Sequence, residues 1–286
     1  MSSHPLFAPV PVPRHHRSNL LRQHGRWYTW SARALAFFER CQVLKVRPLR
    51  PQVKRVPRCE PYGETLHLDL ASLDRAGLRG ELRTFAASLH ALKVTKEMMM
   101  FRDLYRGDAH RTLVDSLLAW LRAELVAAAG DQRAALFSPP MVTRAKRNEF
   151  LLHADLFVVN RLWLIFDDVP SDGSGSSTFV PRGALFSALE RVPTLRLAAR
   201  TRLHRLLRGS IGSDSFNQLY RLLHGRSAWH ADLQAALERC TMRIALREGE
   251  GYLLNDRHWL HGRDRVTGEI GTRRFRRLTF GRLPKV

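Results

Sequence analysis

The chain has 286 residues, 44% of them hydrophobic, which is enough for one large core or two small ones and too apolar for wholesale disorder. No run approaches ~18 uninterrupted apolar residues, so a helical membrane span is not expected, and the N-terminus lacks the apolar core of a secretory signal. Lysine and arginine total 47 against 26 acidic residues, giving a net charge of +21 and a pI near 11.3. Such an excess suits nucleic acid, another polyanion or an anionic surface, or else an arginine-rich solvated exterior. The basic residues are spread along the chain, with no lysine-rich tail and no RNP or zinc-finger pattern. Cys41, Cys59 and Cys240 are widely separated, form neither a zinc knuckle nor a disulfide framework, and fit a reducing cytoplasm, the expected location.

Residues 1–28 hold Pro5, Pro9, Pro11 and Pro13 followed by His15, His16 and several arginines. This composition predicts an arm with little regular structure. From 29 to 286 a single domain is expected. Trp30 to Leu44 carries apolar residues at helical spacing (Ala34, Phe37, Phe38, Cys41), and a proline-punctuated connector follows. Thr65 to Leu70 alternates like a strand. Helices are predicted over 79–92 and 111–129, the latter with the stripe Leu113, Leu117, Leu118, Leu121, Leu125.

After Pro139-Pro140 short apolar runs take over. Phe150-Leu151-Leu152 leads into His153, Arg161 to Phe166 reads as a buried strand, and Thr178-Phe179-Val180 as another. Residues 184–240 turn helical, best at Leu195 to Leu207 and Trp229 to Cys240. Strand signals resume at 241–247, 251–254 and 274–280. The order is helices, strands, a helical insertion, and strands that must complete the earlier sheet.

His153-Ala154-Asp155 places an imidazole and a carboxylate on one side of a strand, because residues i and i+2 share a face. A ferrous oxygenase needs two imidazoles and one carboxylate on one face of the metal. A third ligand must come from a distant strand, and His261 in Trp259-Leu260-His261-Gly262-Arg263 is the best candidate. Taken alone, a His-x-Asp is a common accident.

Four features in order, between Phe150 and Phe280, carry a resemblance: Leu152-His153-Ala154-Asp155-Leu156; Gly175-Ser176-Ser177-Thr178-Phe179-Val180-Pro181; Leu254-Asn255-Asp256-Arg257-His258-Trp259-Leu260-His261-Gly262-Arg263; and Arg273-Arg274-Phe275-Arg276-Arg277-Leu278-Thr279-Phe280. In these the chain resembles the taurine dioxygenase and clavaminate synthase-like group of iron(II)/2-oxoglutarate oxygenases. The resemblance implies an α+β fold with a double-stranded β-helix (jelly-roll) core over 150–280, outer helices, and the insertion 184–240 between the metal-ligand strands. It implies His153, Asp155 and His261 as iron ligands and 2-oxoglutarate and O2 as cosubstrates. Arg273, with Arg274 in reserve because the register is open by one residue, is expected on the far carboxylate of 2-oxoglutarate. Thr178 adds a hydroxyl there, and Arg277 meets the cosubstrate or a substrate anion. The carboxylate at Asp155 favours hydroxylation, since halogenating relatives have a small residue in its place.

The residues around the motifs leave the substrate open. Asp167 and Asp168 end a strand and are candidates for an amine, Arg263 or Arg277 for a carboxylate. Together they suit an amino acid or a natural-product intermediate. The rival reading is a basic binding protein for nucleic acid or another polyanion, or an oxygenase acting on such a macromolecule. Oligomeric state is not legible.

Overall fold

The structure is a computed structural model, and it describes residues 4–13, 25–43, 51–54, 63–66, 70–92, 98–105, 108–129, 149–154, 161–166, 169, 173–208, 213–267 and 275–280. In chain order these hold β1 (Phe7–Val10), β2 (Gly25–Trp30), α1 (Ala32–Val43), β3 (Pro51–Lys54), β4 (Gly63–Leu66), α2 (Leu70–Arg75), α3 (Arg79–Ala91), β5 (Met98–Phe101) and α4 (Asp108–Ala129). Then come β6 (Phe150–His153), β7 (Arg161–Phe166), β8 (Ser177–Pro181), α5 (Arg182–Glu190), α6 (Leu197–Arg208), α7 (Ser213–Leu223) and α8 (Ala228–Glu238). The described residues end with β9 (Met242–Ile244), β10 (Gly251–Leu254), β11 (Trp259–Arg263) and β12 (Phe275–Phe280). The chain is thus a mixed α and β protein.

Two sheets dominate. One has the order β1-β2-β5-β10-β7-β12 and the other β6-β11-β8-β9, with β3 and β4 forming a separate pair. Side-chain alternation explains how they stack. Leu162, Leu164 and Phe166 of β7 enter a cluster with Tyr252 and Leu254 of β10, Phe179 of β8, Met242 and Ile244 of β9, and Trp259 of β11. These residues come from both sheets, so the sheets face each other across this layer. Trp163 and Ile165, on the other side of β7, join Phe37 and Phe38 of α1, Phe85 of α3 and Trp120 of α4. Val180 and Leu260 point away from the inter-sheet layer and pack on Leu185, Leu203, Leu219 and Leu233 of the inserted helices. The order is therefore helices, large sheet, small sheet, helices. Each fully buried aromatic in these layers contributes roughly 1.5–3 kcal/mol relative to exposure.

Four described helices, α5 to α8, lie between β8 and β9. The irregular arm expected for 1–28 needs correction, because Phe7–Val10 and Gly25–Trp30 pair as antiparallel strands. Proline forbids a helix but not an edge strand, where a missing N–H faces no neighbour, and β1 is the edge of its sheet. Phe7 anchors that edge among Trp30, Phe101 and Trp163. The run Met98–Phe101 gave no strand signal because it is buried on both faces and does not alternate.

Cys41 is buried, which pushes its thiol up to about 12, and it packs among aromatic rings. Cys240 donates to the Leu237 carbonyl at 3.2 Å. Cys41 is a small core residue, whereas Cys240, expected in the core, is half-buried against the inserted helices; Cys59 lies outside the described residues. No described helix is long and apolar enough to cross a membrane.

Candidate metal centre

His153 is the last residue of β6, and His261 the central residue of β11. The two are direct cross-strand partners in an antiparallel pair. Their rings come to 4.4 Å between centroids at 54°, and both side chains are buried. Because Trp259 joins the inter-sheet layer and Leu260 the opposite one, His261 returns to the inter-sheet side. Its ring stands 6.5 Å from that of Tyr252 on the large sheet. The pair therefore faces the space between the sheets.

Each ring has an oxygen beside its Nδ1. Nδ1 of His153 is 2.8 Å from the Leu151 carbonyl oxygen, which can only accept, so Nδ1 carries the proton. Nδ1 of His261 lies 3.4 Å from Oδ1 of Asp256, within ion-pair range of that carboxylate. Two buried imidazoles side by side, one held through Nδ1 by a carbonyl and the other beside a carboxylate, are a pair of donors that a ferrous or zinc ion takes. The residues present fit a metal.

Asp256 was not singled out by the sequence reading. It follows β10 in a tight turn, where the Asn255 side-chain oxygen accepts the Arg257 N–H at 3.0 Å and the Asn255 carbonyl accepts the His258 N–H at 2.8 Å. An Asn able to close such a turn on itself was the signal available. Arg182, the first residue of α5, donates its backbone N–H to the His258 carbonyl at 2.8 Å. Burial pushes its guanidinium down to about 10, and the negative charge of Asp256 opposes that shift.

Asp155 lies outside the described residues, and among those described no three His, Cys, Asp or Glu side chains group for a metal. Arg273, Arg274, Asp167 and Asp168 also lie outside them. Position 277 pairs opposite Leu164 of β7, whose side chain enters the inter-sheet layer. Arg276 alternates to the helix side and makes a two-pronged pair with Asp115 of α4 at 2.6 and 2.8 Å.

Thr178 does not share the face of the histidines. It is the cross-strand partner of Gly262, and a Cβ built on Gly262 would lie 2.9 Å from its hydroxyl oxygen. Alternation puts Gly262 with Leu260 on the outer side, so Thr178 is outer as well. Ser177, one residue earlier, pairs with Ile244 of the inter-sheet layer and with Arg263, two residues beyond His261. Burial lowers the pKa of Arg263. Opposite it, a register shift in the β6–β11 pair brings Phe150 into line with Arg263. Phe150 meets the His153 ring edge-on at 4.3 Å while remaining 44% exposed, so it stands between the metal centre and solvent.

No family model matches the chain, and no curated protein does. Solved structures do align with it. Asparagine oxygenase in complex with Fe(II), 2S,3S-3-hydroxyasparagine and succinate is 14% identical, with a TM-score of 0.45 over 89% of this chain and 92% of its own. PvcB, an Fe, alpha-ketoglutarate dependent oxygenase from an isonitrile synthetic pathway, is 14% identical, with a TM-score of 0.42 over 99% and 96%. The non-heme iron oxygenase OrfP is 12% identical, with a TM-score of 0.37 over 88% and 93%. All three of these solved structures are oxygenases.

Proposed function

We propose that this chain is a non-haem iron(II), 2-oxoglutarate-dependent oxygenase with a double-stranded β-helix core. Its reaction is hydroxylation of an unactivated C–H bond in a small polar metabolite, such as an amino acid or a natural-product intermediate. One observation carries the reading: two buried imidazoles meet ring to ring across paired strands, His153 held through Nδ1 by a carbonyl and His261 beside a carboxylate. His153 and His261 hold the metal with Asp155, the first carboxylate beyond β6. Bound there, iron would supply the oxygen activation coupled to conversion of 2-oxoglutarate to succinate and carbon dioxide.

The chain's own groups bind, orient and exclude water. A guanidinium fork is the best match for the far carboxylate of 2-oxoglutarate, and Arg273, or Arg274 by one residue of register, supplies it with Arg277 nearby. Thr178 faces away, so Ser177 takes the hydroxyl role first given to its neighbour. Arg263 holds a substrate carboxylate and Asp168 its amine. Phe150 screens the His153 side from water.

Anaerobic addition of Fe(II) and then 2-oxoglutarate tests the core of this reading. A weak visible charge-transfer band is expected in wild type and lost in His153→Ala. No band in wild type, or an unchanged band in the variant, defeats it. Under air, an amino-acid panel should contain a compound that accelerates 2-oxoglutarate consumption. Uniform uncoupled background would remove that substrate class.

A further inference from the structure

The two imidazoles are held by unlike partners. His153 donates Nδ1–H to a neutral carbonyl, that of Leu151, at 2.8 Å. His261 directs Nδ1 at a carboxylate, with 3.4 Å to Oδ1 of Asp256, and the two side chains are 7% and 2% exposed. A carboxylate taken so far from water is costly unless cations or donors face it. Here the imidazole stands on one side, and the positive charge of Arg182 acts on Asp256 from the start of α5. The Asn255 turn fixes the backbone from which Asp256 projects.

Resting on the metal reading of His153 and His261, we propose that Asp256 is the positioning residue of the centre. Through the contact at Nδ1 it orients the His261 ring toward the metal position between the sheets. A carboxylate behind a ligating imidazole pulls on Nδ1–H as a dication withdraws charge from Nε2, so the contact strengthens on metal binding. The Leu151 carbonyl cannot do this to the same degree for His153.

The test is Mn(II) titration of the metal-free protein, reading free Mn(II) by electron paramagnetic resonance, for wild type, Asp256→Asn and Asp256→Ala. Thermal unfolding of the metal-free forms runs alongside. Loss of an outer carboxylate of this kind weakens metal binding by roughly 10–100-fold. That increase in dissociation constant is expected in both variants and larger for alanine. The isosteric Asp256→Asn keeps the test decisive if alanine does not fold. A merely structural role would lower the unfolding midpoint and leave Mn(II) affinity of the folded protein unmoved. Affinities within twofold of wild type in Asp256→Asn overturn the proposal. His261→Ala separates the two levels: if wild type binds no Mn(II), or this variant binds it equally well, the metal reading fails and the role of Asp256 falls with it.

Discussion

At the scale of single residues, the same side-chain types do different work according to the face they occupy. Arg276 of β12 turns to α4 and grips Asp115, while the next position, 277, is the register partner of Leu164 on β7. Both partners of the Arg276–Asp115 pair are largely buried, at 10% and 16% exposure. Breaking such a pair strands the other charge, at a cost of about 3 kcal/mol. Asp115→Ala should therefore lower stability by about that amount, read from urea unfolding, while leaving the iron and 2-oxoglutarate band intact. A change under 1 kcal/mol would show that water replaces the lost carboxylate. The sequence separated these two arginines by strand parity alone. It could not say that Asp115, far away in the chain, was waiting for one of them.

At the scale of elements, the candidate metal centre depends on how closely β11 lies between β6 and β8. Gly262 permits that approach. A Cβ there would stand 2.6 Å from the Phe150 carbonyl oxygen and 2.9 Å from the Thr178 hydroxyl oxygen. Backbone cannot yield as a flexible side chain does, so Gly262→Ala should push β6 from β11 and cost roughly 1–3 kcal/mol. Because His153 and His261 sit on these two strands, metal affinity should fall together with stability. Unchanged Mn(II) affinity would mean that the strands accommodate the methyl group. Long periodic helices such as α3 and α4 were legible to within a few residues, since one amphipathic face is written locally. The strands β1, β2, β5 and β11 were less so: β1 hides behind prolines, β5 has no polar face, and β11 is identified by its partners.

At the scale of the whole molecule, the inserted helices do more than cover the outer face of the small sheet. His224, just past α7, has Nε2 at 2.7 Å from the Leu152 carbonyl oxygen on β6. Burial, the largest influence, lowers its pKa below 6.5, and the neighbouring His153 and His230 add to the effect. The unfolded chain then takes up a proton below pH 6.5 that folded His224 resists. Its contribution to stability is present above that pH and lost as pH falls toward the lower folded value. His4, lowered by burial, acts with the same sign. Urea midpoints should fall between pH 7.5 and 5, and His224→Gln should flatten that slope while lowering stability at pH 7.5. An equally steep slope in the variant would exclude His224 as a contributor. The charge of +21 is partly absorbed by pairs such as Arg79–Glu124 and Arg243–Asp264. The exposed side of α6 still presents Arg202, Arg205 and Arg208 to solvent.

The sequence by itself determined the chemistry on offer and the local periods: His153-Ala154-Asp155, His261 and the arginine-rich strand in order, and helices wherever apolar residues recur every third or fourth position. Those are properties of neighbours along the chain. The tertiary structure decided what crosses it: that His261 meets His153 ring to ring, that Ser177 rather than Thr178 shares their face, and that Asp256 stands behind His261. Strand pairing sets each of these, and a shift of one residue in register turns every side chain to the other side.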